Sequence, residues 1–114
     1  MTNIPVTVVI TCTIQSEKIE MDKHALEANI KIVMELEPAC RGIYVHDDPG
    51  NPQRLLIIEY WESEDVFIGP HMQTPHMQTF LKTAEEFLDG AADFSFWREV
   101  IATRSGEMRK STFE

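Results

Sequence analysis

Residues 40–61, CRGIYVHDDPGNPQRLLIIEYW, decide the fold. Residues 40–47 and 54–61 read as two strands, and Asp48-Pro49-Gly50-Asn51-Pro52 between them is dense in turn formers. The segment is therefore a hairpin. Its second strand, Arg54-Leu55-Leu56-Ile57-Ile58-Glu59-Tyr60-Trp61, is almost continuously apolar, which implies cover on both of its faces.

Outward from the hairpin the period changes. On the N-terminal side, residues 20–37 place Leu26, Ile30, Val33 and Leu36 at helical spacing, with Glu20, Asp22 and Glu27 near the start, where the helix dipole favours acids. Pro38 ends that helix. Asn29 falls on the apolar stripe, either as a buried amide bonded to backbone or as the lining of a pocket. On the C-terminal side, Ser63 before Glu64-Asp65 starts a short helix carrying Val66 and Phe67, which is expected to break near Gly69-Pro70. A new helix starts at Thr74-Pro75, and Met77, Phe80, Leu81, Ala84, Phe87 and Leu88 mark its apolar stripe as far as Asp89-Gly90.

The two ends of the chain supply strands again. In residues 5–15, Val6, Val8, Ile10, Cys12 and Ile14 share one face, while Thr7, Val9, Thr11, Thr13 and Gln15 share the other. Residues 93–104 form a last strand. The stretch after it is polar and expected to be loose, giving a domain over 1–104 and a tail over 105–114.

The order β-α-β-β-α-β is the ferredoxin-like plan: an α+β fold whose helices cover one face of a four-stranded antiparallel sheet. The other face is too apolar for water, and apolar patches of more than a few hundred Å² mark interfaces. Packing two such sheets face to face gives a homodimeric α/β barrel.

At 114 residues the chain suits one domain, and its 43% hydrophobic and 25% charged residues are those of an ordinary globular protein. A net charge of −9, with ten scattered Lys and Arg, argues against nucleic acid, anionic membranes and highly anionic substrates. Cys12 and Cys40 form no CxxC pair and read as reduced core thiols in a cytoplasmic protein. The N-terminal Met-Thr-Asn-Ile-Pro shows no leader, and no apolar run approaches the roughly 20 residues of a membrane span.

Residues 37–88 also carry a family resemblance. They contain Glu37-Pro38-Ala39-Cys40 at the entry to a strand, Asn51-Pro52 in a hairpin loop, Glu59-Tyr60-Trp61-Glu62 at a strand end, and then His71 and Pro75-His76. This combination resembles the antibiotic-biosynthesis-monooxygenase family, with Ala39 in place of the usual Gly. The run His71-Met72-Gln73-Thr74-Pro75-His76-Met77-Gln78 is similar to that of its quinol-monooxygenase branch. The resemblance implies a dimeric barrel with a small apolar pocket in each subunit, and several members are oxygenases without cofactor. Other members degrade haem, are isomerases or have no known activity. Where the haem-degrading branch keeps a Trp and a His on its second helix, this chain has Pro70 and Phe80, so the proximal haem ligand is missing.

Oxygenation without a cofactor needs a substrate that itself reduces oxygen, a base near neutral pKa and a water-poor pocket. His76, at the start of the last helix, and His71, in the break before it, are the candidate catalytic bases, against the alternative that each only packs or bonds backbone. Trp61, Tyr44, Phe67, Met77, Phe80 and Asn29 are the candidate substrate-binding residues, flat walls, hydroxyls and pliable thioethers that suit an aromatic ring. Two histidines without a third ligand nearby make no metal site. The expected activity is cofactor-independent oxidation of a small electron-rich aromatic, such as a quinol or polyphenol, by O2. The alternatives are an isomerase of a small hydroxyketone or a non-catalytic dimeric binding module.

Overall fold

A computed structural model of the chain describes residues 4–110. Residues 1–3, where the leaderless start was read, and residues 111–114, the end of the expected tail, lie outside the described residues. The strands are β1 (Val6–Thr13), β2 (Cys40–Asp48), β3 (Asn51–Trp61), β4 (Asp93–Trp97), β5 (Ile101–Arg104) and β6 (Glu107–Lys110). The helices are α1 (Ile19–Leu36), α2 (Glu64–Val66) and α3 (Pro75–Phe87). The first four strands form an antiparallel sheet in the order β2-β3-β1-β4. This is the ferredoxin-like α+β fold expected from the order of elements.

Register decides what faces the helices. Val6, Val8, Ile10 and Cys12 lie opposite Trp61, Glu59, Ile57 and Leu55, so alternate residues of β1 and β3 meet on one face. That face is covered by α1, which buries Asp22, Leu26, Asn29 and Val33, and by α3, which buries Met77 and Phe87. Val8, Ile14, Val33 and Trp61 are the most completely buried side chains. The opposite face carries Thr7, Val9 and Thr11 against Tyr60, Ile58 and Leu56, with Tyr44 and His46 alongside on β2. Tyr44 there is 56% exposed.

Three expectations are corrected. The hairpin turn shortens to Pro49-Gly50, with the Asp48 carboxylate accepting the Gly50 N–H at 2.8 Å. The helix does not break at Gly69-Pro70. Phe67–His71 instead form one π turn, whose wider ring accommodates a residue with no N–H, and the break falls at Thr74. The expected last strand is two: β4 stops at Trp97, and β5 pairs with β6 instead of the sheet. Gly106, at φ +79°, makes the turn between them, so the chain from Ser105 to Lys110 is a hairpin arm and not a loose tail.

Candidate functional site

Between the helices and the inner sheet face lies a cavity of about 110 Å³. Its wall is mostly apolar, from Ile10 and Ile57 on the sheet and Leu26, Met77 and Phe80 on the helices. Five polar residues interrupt it: Cys12, Asp22, Asn29, Glu59 and His71.

The candidates named from sequence divide into three groups. His71, Phe67, Met77, Phe80 and Asn29 all line the cavity. The Asn29 amide donates to Met77 Sδ at 3.3 Å and not to backbone. Trp61 and His76 stand directly behind the wall. Trp61 is wholly buried, with its ring 4.2 Å from that of His71 and 5.7 Å from that of Phe67. Tyr44 lies on the outer sheet face, edge-on to Tyr60 at 5.8 Å, and does not line this cavity. By parity it could only face the helices if β2 slipped by one residue.

The two histidines meet on one carboxylate. Glu37, just past the end of α1, anchors its backbone N–H to Val33 O at 2.8 Å. His71 Nδ1 lies 2.9 and 3.0 Å from its two oxygens, and His76 Nε2 lies 2.6 Å from Oε2. Thr74 fixes the turn between them: its hydroxyl donates to His71 O at 2.9 Å and accepts the Met77 N–H at 3.3 Å, capping α3. A carboxylate only accepts, so the His71 proton sits on Nδ1 and Nε2 is left as the basic atom. His71 is 2% exposed. Burial holds its imidazole below the ordinary range, and the Glu37 hydrogen bond and charge oppose that only in part. The outcome is a neutral base, oriented by a carboxylate, in the wall of an apolar cavity.

Glu59 faces the same cavity from β3. Burial pushes its carboxyl up, against a 2.8 Å hydrogen bond from Trp61 Nε1–H. Cys12 and Cys40 are free thiols, each pushed up to about 11 chiefly by burial, which keeps them protonated and unreactive. Among the described residues no group of three or more His, Cys, Asp or Glu is placed to hold a metal ion, and no helix is long and apolar enough to cross a membrane.

Glu37, Glu59 and Asp22 were not named as site residues from sequence. Two of them carry a signal. Glu59 continues the buried alternation Leu55, Ile57, Glu59, Trp61, and Asp22 precedes Leu26 and Asn29 at helical spacing on the apolar stripe. A carboxylate at a core position points to a cavity or a partner. Nothing local to Glu37 shows that residues 34 and 39 positions later will bind it.

A helix-covered antiparallel sheet enclosing a small apolar cavity, with an imidazole–carboxylate pair in its wall, defines a small-ligand α+β domain. The chain belongs to the antibiotic biosynthesis monooxygenase family, whose sequence model matches residues 5–83. Solved structures share the fold. A candidate antibiotic biosynthesis monooxygenase from Caulobacter crescentus CB15 superposes with a TM-score of 0.80 at 17% identity, covering 86% of this chain and 92% of that one. Another from Nitrosomonas europaea gives 0.77 at 15% identity, covering 86% and 92%. A conserved protein from Methanosarcina mazei Go1 gives 0.76 at 21% identity, covering 84% and 93%. At these identities the likeness is one of fold. No protein with a curated description matches the chain significantly.

Proposed function

We propose that the protein is a cofactor-independent monooxygenase that oxidises a small, neutral, electron-rich aromatic, such as a quinol or polyphenol, with O2 in the cytoplasm. The observation that carries this reading is His71: a buried, neutral imidazole, held by Glu37, in the wall of an apolar cavity. His71 Nε2 takes the proton of a substrate hydroxyl. The resulting anion gives electrons to O2, one oxygen atom enters the ring, and the other leaves as water. For a benzene-1,4-diol the four electrons all come from the substrate, which leaves as a hydroxyquinone, so no external reductant is needed. The apolar wall keeps bulk water from quenching the anion. Glu59 faces the same cavity, and burial pushes its carboxyl up toward the neutral form; it is assigned the return of a proton to the leaving oxygen.

The test is oxygen consumption by purified, metal-stripped protein with a panel of reduced quinols and hydroxyaromatics. Protein-dependent uptake with at least one of them is expected. Its absence across the panel would overturn the oxygenase reading and leave ligand binding without turnover. One observation favours a second reading: an imidazole, His71, and a carboxyl, Glu59, face one cavity, the pair of proton-transfer groups that an isomerase of a small hydroxyketone also needs. Solvent-proton exchange at a substrate carbon, seen by NMR without oxygen uptake, would establish that reaction instead.

The working form is proposed to be a homodimer. Exposed Tyr44 and Trp97 share the outer sheet face with Val9, Leu56 and Ile58, and a second copy packed sheet to sheet would cover them. Sedimentation equilibrium at micromolar concentration is expected to give twice the chain mass, and a stable monomer would refute it.

A further inference from the structure

Asp22 has no role in the steps above, yet it is the cavity carboxyl that has no hydrogen-bond partner among the described residues. It sits in the first turn of α1, is 4% exposed and lines the cavity wall. It makes no hydrogen bond or ion pair to any described residue, in contrast to Glu59, His71 and Asn29, which each have a partner. Among the described residues no side-chain oxygen is both fully enclosed and without a partner, so the Asp22 carboxyl retains accessible surface where a ligand can meet it.

Its position gives it a distinct task. Asp22 acts on the Cys12 thiol, and Cys12 lies opposite Leu55. Glu59 lies opposite Val8, four residues along the same ladder, or roughly 13 Å at about 3.3 Å per residue. On α1, Asp22 precedes Asn29 by seven residues, about 10 Å at about 1.5 Å per residue. The cavity thus has His71 with Glu59 at one end and Asp22 with Cys12 at the other; between them lie the apolar Ile10, Ile57 and Leu26 and the Asn29 amide, which is already engaged by Met77 Sδ. Its 110 Å³ is on the order of what holds a single aromatic ring, since an apolar cavity of roughly 150 Å³ takes benzene. No Lys or Arg lines it, so an anionic ligand would find no counter-charge.

We propose that Asp22 is a specificity-determining residue that hydrogen-bonds a second, remote hydroxyl of a neutral aromatic ligand whose first hydroxyl meets His71. The proposal rests on the reading of this cavity as the aromatic-binding site, and it selects ligands with hydroxyls at opposite ends of one ring. Burial pushes the Asp22 carboxyl up, which favours its neutral form, and in either form it accepts a hydrogen bond from a hydroxyl. A site built to bond a hydroxyl discriminates strongly against the analogue that lacks it.

Binding measured by calorimetry without oxygen tests this directly, using benzene-1,4-diol, phenol and benzylamine as probes. The native protein is expected to bind the diol at least tenfold more tightly than phenol. In Asp22→Leu the two should bind within about twofold of each other, with the affinity for phenol retained. Asp22→Ala, checked for native circular dichroism, gives the same comparison if the leucine variant fails to fold. A diol preference that survives both substitutions would overturn the proposal, as would equal or undetectable binding of diol and phenol by the native protein. Benzylamine binding more tightly than the diol would also overturn it, since the carboxyl would then be an ammonium site. Oxygen is absent, so the oxygenase reading is scored separately. An Asp22-dependent diol preference with no uptake in air would keep this assignment and lose the reaction. Uptake with a preference indifferent to Asp22 would do the reverse.

Discussion

His71→Ala is expected to lower kcat/KM for oxygen uptake at least a hundredfold, whereas His76→Ala should cost about tenfold. General-base groups contribute roughly 10² to 10⁴ in rate, and only His71 lines the cavity. His76 reaches the substrate through Glu37 alone, as a second donor on the carboxylate that orients His71. On the proposed mechanism it is a positioning residue, and its loss should change the pH profile as well as the rate. The sign of that profile is set by the base: uptake needs the neutral imidazole, so kcat/KM falls as pH falls through the His71 titration. Burial places that inflection below the ordinary 6.5. Oxygen-electrode assays over a pH series check both points. A larger loss in His76→Ala than in His71→Ala would mean that the wrong histidine has been assigned as base.

Trp61→Ala should cost about 3–5 kcal/mol of folding stability, the usual range for deleting a fully buried large aromatic. Three losses coincide there. The ring packs against Phe67 and His71, it sits opposite Val6 at the end of the β1–β3 ladder, and its N–H is the donor to the buried Glu59 carboxyl. Against the roughly 5–15 kcal/mol that a domain of this size possesses, the change brings the protein close to unfolding at 37 °C. Urea titration would show a lower midpoint with an unchanged slope. A loss below about 1 kcal/mol would show that this end of the core is loosely packed and that Glu59 finds another partner. Trp61→Phe, which keeps most of the ring but removes the donor, should fall between native and alanine.

The elements legible in the sequence were those whose period has a physical cause. β1 alternates because one face lies under α1, and α1 and α3 show helical spacing because each buries one stripe. Phe67, Met77, Phe80 and Asn29 line the cavity because a cavity in a small core is walled by the same apolar faces that the spacing marks. The division of β4 from β5 was not legible. Val100 and Ile101 are as apolar as strand residues, yet both are exposed, and composition does not reveal what an apolar residue pairs with. Tyr44 shows the same limit: its parity was evident, but only the pairing of Tyr44 with Ile58 shows which face that parity selects. The role of Glu37 was hidden because it arises from contacts far apart in the chain.

The near-duplicate words His71-Met72-Gln73-Thr74-Pro75 and His76-Met77-Gln78-Thr79-Phe80 have a geometric meaning. Both histidines bond Glu37, and both methionines line the cavity. On an unbroken α-helix, residues five apart point about 140° from one another, at about 3.6 residues per turn. The π turn and the break at Thr74 bring the second word back into phase with the first. The length of this segment is therefore constrained as tightly as its composition. Deleting one residue between Met72 and Thr74 would rotate α3 by about 100° and take His76 from Glu37 and Met77 from the cavity together.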